Sequence, residues 1–392
     1  MNILEEIQNC PVEWKELGEV VDTVTSPVKL TKKEYQVTGR IPIVDQGEQF
    51  VAGYADNEKY LEKDEYIIFG DHSEHVKYVD FAFVQGADGL KILKPKSGIK
   101  AKYIYYCFCN FYKKEGSYKR HWSKARTVLI PIPPQEIQEK IVQILDKFTD
   151  YVTELTSELT SELTSRKKQY SFYRDKLLSF EDEVYQVEWK TLEEVAKFNY
   201  GYTDKAKDTG DVRFIRITDI DENGYLKSND KKYIALSEES RNYLVKYGDL
   251  LMARTGATYG KTLFIDTDEA RAYASFLIKI TPSEELNSRY YWHFSKSKLY
   301  WKQANNLVSK AGQPQFNANS LKNVKIPVPS LEIQSRIIQV LDNFDMVCND
   351  LNIGLPKEIE LRQKQYEYFR EKLLTFTAEG VYTDSTVQTR PH

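Results

Sequence analysis

Among the 392 residues, the segment closest to a catalytic motif is Gly256-Ala-Thr-Tyr-Gly-Lys-Thr262, which follows the strand-like Leu250–Met252. Glycines, a lysine and a hydroxyl in this order are what a nucleotide-binding loop uses. Its amides cradle phosphates, its lysine reaches the β and γ groups, and its hydroxyl meets magnesium. That chemistry needs four residues between the glycines, and three stand here, with Thr255 where the first glycine belongs. No acidic strand end is recognisable to hold the metal.

The other reactive residues are scattered. Of the five histidines, His72 and His75 are close, but no further His or Cys completes a metal set around them. Cys10, Cys107, Cys109 and Cys348 form no C-x-x-C pair and read as reduced thiols of a cytoplasmic protein. There is no G-x-S-x-G elbow and no Asn-Pro-Pro-Tyr methyltransferase motif. We therefore expect no catalytic residue, no metal and no cofactor of its own. The alternative is a self-contained nucleotide-hydrolysing or DNA-modifying enzyme with an unrecognised site.

Charge points elsewhere. The net charge is −3, yet Lys91–Arg126 holds eleven basic residues against the single acid Glu115. Ser288–Lys325 holds seven and no acid, which leaves the rest of the chain at −20. Both segments are interleaved with aromatics, Tyr118 and Trp122 in one, Tyr290 to Trp292, Tyr300 and Trp301 in the other. Local positive charge of this kind suits nucleic-acid phosphates whatever the global sign.

Each basic segment contains a polar loop: Ser117-Tyr-Lys-Arg-His-Trp-Ser-Lys124 and Gln313-Pro-Gln-Phe-Asn-Ala-Asn319. Arg120 suits bidentate contact with guanine, and Gln313, Gln315 or Asn317 with adenine. Ser117, Tyr118 and His121 share the first loop. Arg254, Thr255, Thr258, Tyr259 and Lys261 make a further candidate loop. Lys114, Lys119, Lys124, Lys310 and Lys322 suit phosphates, which position without specifying.

The elements that must hold these loops are duplicated. Val12-Glu-Trp-Lys-Glu-Leu-Gly-Glu-Val20 returns 175 residues later as Val187-Glu-Trp-Lys-Thr-Leu-Glu-Glu-Val195. Ile130-Pro-Ile-Pro-Pro-Gln-Glu-Ile-Gln138 returns as Ile326-Pro-Val-Pro-Ser-Leu-Glu-Ile-Gln334, and Arg166-Lys-Lys-Gln-Tyr as Arg362-Gln-Lys-Gln-Tyr, both offset by 196. Two similar frames thus hold two inserts of unlike sequence.

The frame segments read as long helices. Ile137, Ile141, Ile144, Phe148, Tyr151 and Leu155 repeat in the second copy as Ile333, Ile337, Val340, Phe344, Val347 and Leu351. This heptad seam predicts antiparallel pairing of two helices of about 45 residues. Gly354 and Pro356 should kink or break the second helix. The inserts read as mixed α/β, with strands at Tyr66–Phe69, Val79–Val84, Phe214–Ile217 and Leu250–Met252. Helices are expected near Lys102–Tyr112 and Ser288–Ala304.

These boxes resemble the specificity (S) subunits of type I restriction-modification systems. Arg213-Phe-Ile-Arg-Ile-Thr-Asp-Ile220 and the run Tyr247–Lys261 are similar to stretches in that family, as are Ile41–Gly47 and Tyr66–His72. Through these stretches His72 and Arg216 join the candidate DNA contacts. The resemblance implies target recognition domains at residues 1–131 and 183–327. It implies long helices at 132–182 and 328–378 and a tail at 379–392. The chain would read a bipartite asymmetric sequence on double-stranded DNA without catalysing anything. Its expected partners are two modification subunits and restriction subunits, which would carry the S-adenosylmethionine, ATP and magnesium, with no membrane involved.

Overall fold

The computed structural model describes residues 3–181, 187–309, 313–350 and 352–376. One continuous helix of 45 residues, α1 (Gln135–Ser179), follows the first insert. The second copy divides into α2 (Leu331–Asn349) and α3 (Leu355–Leu374). The break falls where glycine and proline predict it. A Cβ at Gly354 would come within 2.6 Å of the Asp350 and Met346 carbonyl oxygens. Pro356 has no amide to extend a helix through the turn. Ser330 starts α2, its hydroxyl accepting the Ile333 N–H.

Two compact units form, and they cut across the helices. Unit 1 runs to Ser157 and resumes at Glu360, while unit 2 is Glu158–Ile359. Each insert is therefore completed by a helix end from the other copy. In unit 1, Phe148 stacks on Phe369 at 5.2 Å and Thr149 meets the Tyr366 hydroxyl at 3.1 Å, so α1 and α3 run antiparallel. In unit 2, Tyr170 and Tyr173 of α1 stack on Phe344 of α2.

The heptad seam is met in part. Phe148 and Phe344 stack on the partner helix, while Ile137, Ile141 and Leu145 join the unit 1 core together with Leu373 and Leu374 of α3, as Ile337 and Leu341 join the unit 2 core together with Tyr170 of α1. Tyr151, Val340 and Val347 are exposed, and Leu351 lies outside the described residues. A helix lying on its own globular domain buries a stripe spaced by four residues, and the expected seam shares only some of those positions. Leu373, Leu374 and Phe376 fix the end of α3 in the unit 1 core, worth about 1.5–3 kcal/mol per buried side chain.

The two inserts, unlike in sequence, share the strand order of their first sheet and differ in that of their second. In unit 1 an antiparallel sheet runs Val21–Val24, Leu90–Pro95, Tyr66–Gly70, Val76–Val79. In unit 2 the same order is Ala196–Tyr200, Leu277–Pro282, Leu250–Ala253, Thr262–Phe264. Each unit adds a second, mixed four-stranded sheet and a two-stranded ladder, Glu13–Glu16 on Leu129–Ile132 or Glu188–Thr191 on Lys325–Val328. Two expected elements come out divided. Val79–Val84 splits into strands of different sheets, Val76–Val79 and Val84–Gly86, because the chain turns through Asp80 to change sheet. Ser288–Ala304 is two helices, since the Ser297 hydroxyl accepts the Tyr300 N–H and caps a new start at Lys298.

A buried glutamine ties each frame to its insert. The Gln138 amide accepts the Lys100 N–H at 3.0 Å and donates to the Pro133 carbonyl at 2.9 Å. Gln334 repeats this with Asn287 and Pro329, and donates also to Glu285. This explains the last residue of the Glu-Ile-Gln boxes.

Candidate nucleic-acid interface

In unit 1, residues 113–120 form an exposed run after the helix Ala101–Phe111. Its ends rest on two buried carboxylates from the hairpin turn that follows Tyr66–Gly70. Glu74 accepts the N–H groups of Glu115 and Gly116 at 2.8 Å and the Tyr112 hydroxyl at 2.6 Å. Burial pushes the Glu74 carboxyl up, but these donors hold it below its ordinary value. Asp71 accepts the N–H groups of His121 and Trp122 at 2.9 and 2.7 Å. The His72 ring stacks on Tyr118 at 5.2 Å and 20°, and Tyr118 is 89% exposed.

Unit 2 builds its counterpart from backbone. The hairpin after Leu250–Ala253 bridges the polar loop through Thr255 and Gln315. Gly256 donates its N–H to the Pro314 carbonyl at 3.1 Å, and Phe316 donates to Arg254 at 2.8 Å. The Arg254 guanidinium lies between the Tyr200 and Phe276 rings, 5.2 and 5.4 Å from their centroids. Its Nε donates to the Ser275 carbonyl at 3.0 Å. That orientation suits a fixed guanidinium edge for a guanine.

The predicted residues sort by what already holds them. Ser117, Tyr118, Arg120, Gln313 and Gln315 are exposed, and Lys261 is half-buried beside the second loop. Arg120 and Lys261 have no ion-pair partner among the described residues. Lys114 reaches only the His75 ring at 3.5 Å. Lys119 and Lys124 both bind Glu115, at 2.5 and 2.6 Å, which holds that carboxyl down at about 2. Tyr259 donates to Asn305 at 2.7 Å, and the Thr258 hydroxyl to the Thr255 carbonyl. Lys310 lies outside the described residues.

Several predicted contacts are corrected to framework roles. His121 is buried, its Nε2 2.7 Å from the Ser117 carbonyl and 3.4 Å from Glu74, so it closes the loop from within. Thr255 is buried at the bridge. Asn317 caps the helix Ala318–Lys322 by accepting the Ser320 N–H. Arg216 is spent on Asp219 and Asp230, whereas Lys322 pairs with Glu193 at the surface, as Lys119 and Lys124 do with Glu115. A polar side chain already committed inside the fold loses those bonds if it turns to a ligand.

The near-phosphate loop is occupied by itself. The amides of Gly256, Tyr259, Gly260 and Lys261 donate to carbonyls of Pro314, Gly256, Ala253 and Thr258. A strand, Thr262–Phe264, follows where a phosphate loop runs into a helix. Burial raises all four thiols, which makes them poor nucleophiles and ligands. Among the described residues no three metal-binding side chains gather, and no helix is long and apolar enough to cross a membrane.

Sequence reading missed Asp71, Glu74, Tyr200 and Phe276. The run Gly-Asp-His-Ser-Glu-His at residues 70–75 could have signalled a polar turn able to anchor a neighbouring loop. Tyr200 and Phe276 lie 54 and 22 residues from Arg254 and carry no local signal.

Comparison with known proteins agrees with this arrangement. The family described as type I restriction modification DNA specificity domain matches residues 11–165 and 186–361. The specificity subunit of the Escherichia coli type I restriction enzyme EcoR124I/EcoR124II is 34% identical, over 96% of this chain and 97% of that one. A chain from a solved type I restriction-modification system has a like fold, with a TM-score of 0.61 at 16% identity over 93% of this chain and 97% of that one. The S subunit crystal structure from M. genitalium gives 0.50 at 15% identity, over 95% and 98%. The Escherichia coli relative is a specificity subunit and the M. genitalium one an S subunit, and the chain shares the DNA-recognising role that the family description gives. The chain belongs to the type I restriction-modification specificity family, with one DNA specificity domain in each half.

Proposed function

We propose that each unit reads one half of a bipartite, asymmetric DNA sequence, unit 1 through Ser117–Arg120 and unit 2 through Arg254 and Gln313–Gln315. The observation that carries this is the shared first sheet and ladder: one frame presents two loops of different chemistry beside the same hairpin turn, as two unlike half-sites require. Phosphate contact falls to the uncommitted lysines Lys114 and Lys261, with Lys119 and Lys124 exchanging Glu115 for phosphate. The helices carry two modification subunits, to which restriction subunits are added. S-adenosylmethionine, ATP and magnesium belong to those partners, and the chain acts in the cytoplasm. The test is methylation of a randomised DNA library, read by sequencing. The chain alone should methylate nothing, and with modification subunits it should yield a two-part motif. Methylation or ATP hydrolysis by the chain alone, or a one-part motif, would overturn the reading.

A further inference from the structure

The hairpin turn of unit 1 and that of unit 2 occupy the same point in the shared first sheet. Each joins the two strands at the end of the first sheet, Tyr66–Gly70 to Val76–Val79 and Leu250–Ala253 to Thr262–Phe264. Each also touches the loop that precedes the final ladder strand. Sequence singles out the unit 2 turn as a candidate reader, whereas from the unit 1 turn it draws only His72.

We propose that the turn Asp71–His75 is part of the first half-site reader. Glu74 and Asp71 are positioning residues that present Ser117–Arg120, and Tyr118, backed by the His72 ring, contacts DNA. The inference rests on the DNA-reading function proposed above. Among the described residues, the loop between the two carboxylate anchors holds one backbone bond of its own, Lys119 N–H to Ser117 carbonyl at 3.0 Å. Glu115 with Lys119 and Lys124, and His121 with the Ser117 carbonyl, tie it from within, while the two carboxylates fix its backbone to the hairpin turn. Glu74 is itself held at φ 57°, which a side-chain-bearing residue adopts at a cost. A buried carboxylate in a strained conformation, holding two N–H groups and a hydroxyl at one end of a loop and facing His121 at the other, is what fixing that loop's tip requires. Tyr118 then has one ring face on His72 and most of its surface in water, an arrangement that leaves the rest of the ring for a sugar or base.

The test uses the full chain assembled with modification subunits, methylating a library randomised in both half-sites, with amide exchange measured on the same complex. Glu74→Gln should slow methylation of wild-type first half-sites about 10–100-fold, the scale of one lost base contact, and loosen preference there alone. The amides of Glu115 and Gly116 should exchange faster, while His121 and Trp122, held by Asp71, stay protected. His72→Ala, which removes the half-buried ring behind Tyr118 and leaves both carboxylate anchors in place, should loosen the same half-site. It decides the matter if Glu74→Gln fails to assemble. Released amides with an unchanged first half-site, equal loss in both half-sites, or no effect of His72→Ala would overturn the inference. A wild-type complex that yields no two-part motif would instead defeat the DNA-reading assignment, and this inference with it.

Discussion

Units 1 and 2 reach the same first sheet and ladder from sequences that share little outside the frame, and they differ in the second sheet and where loops and helix ends are secured. Unit 1 anchors its loop on buried carboxylates, Glu74 and Asp71. Unit 2 uses a β-bridge and an arginine between two aromatic rings. The helix junctions differ as sharply. In unit 1, Tyr106 and Lys102 meet Asp146, and Thr149 meets Tyr366. In unit 2 the corresponding cluster is Arg289, His293, Asp342 and Asp345, with Lys296 and Tyr225 on Asp345. The lesson is that the first sheet, the ladder and a few frame residues are conserved between the copies, while the chemistry filling them is interchangeable.

If the copies are equivalent, cutting the chain should have the largest effect. The end of α1 carries Tyr170 and Tyr173 at the places that Tyr366 and Phe369 hold in α3, 196 residues on. A fragment of residues 1–180 can therefore complete unit 1 with α1 of a second copy. It should sediment as a dimer and, with modification subunits, direct methylation to an inverted repeat of the first half-site. A monomer, or retention of an asymmetric motif, would break the equivalence.

The frame glutamines come next. Gln138→Leu and Gln334→Leu each strand buried backbone partners, at about 1–3 kcal/mol per unpaired group. Denaturation should show comparable losses of about 2–5 kcal/mol for the two variants. A loss from only one of them would show that the frames are alike in sequence but not in load.

Arginine replacement sharpens the loop comparison. Arg254→Lys keeps charge but loses the planar guanidinium held between the two rings, so discrimination in the second half-site should fall by about 1–3 kcal/mol. Methylation kinetics on single-base variants would measure this. Arg120→Lys should act on the first half-site only, and an effect crossing to the other would contradict independent reading.

The smallest effect concerns pH. Burial pushes His293 down to about 4, with Asp342 partly opposing, and pushes Asp345 up to about 6. Unfolded histidine holds its proton up to 6.5, so this residue makes stability rise with pH between about 4 and 6.5. Asp345 keeps in the fold a proton that it loses at 3.8 when unfolded, so it makes stability fall between about 4 and 6. The two slopes oppose each other. Asp345→Thr, which copies Thr149, should leave a stability that rises from about pH 4.5 to 6.5, with Lys296, also pushed down by burial, adding the same sign. A flat profile for the variant would show that His293 does not titrate in that range. Unit 1, with Tyr106 and Thr149 at these places, should have no counterpart.

Much of this protein was readable in the residues themselves. The duplication, the lengths of the long helices, the break at Gly354 and Pro356 and the basic loops all follow from local chemistry and spacing, because backbone sterics, capping and charge act within a few residues. Three things needed the tertiary structure. The first sheet shared by the inserts was hidden because many sequences satisfy one pattern of buried faces. Which seam positions meet the partner helix, as Phe148 and Phe344 do, and which meet the globular core was hidden because a stripe of apolar residues does not state whether it meets a helix or a sheet. His121, Asn317 and Arg216 looked available for DNA because a polar side chain reveals its commitment only when its partner is in place. Glu74 shows the same limit from the other side: an acid in an otherwise unremarked turn becomes the anchor of a loop forty residues on only when folding brings the amides of Glu115 and Gly116 onto its carboxylate.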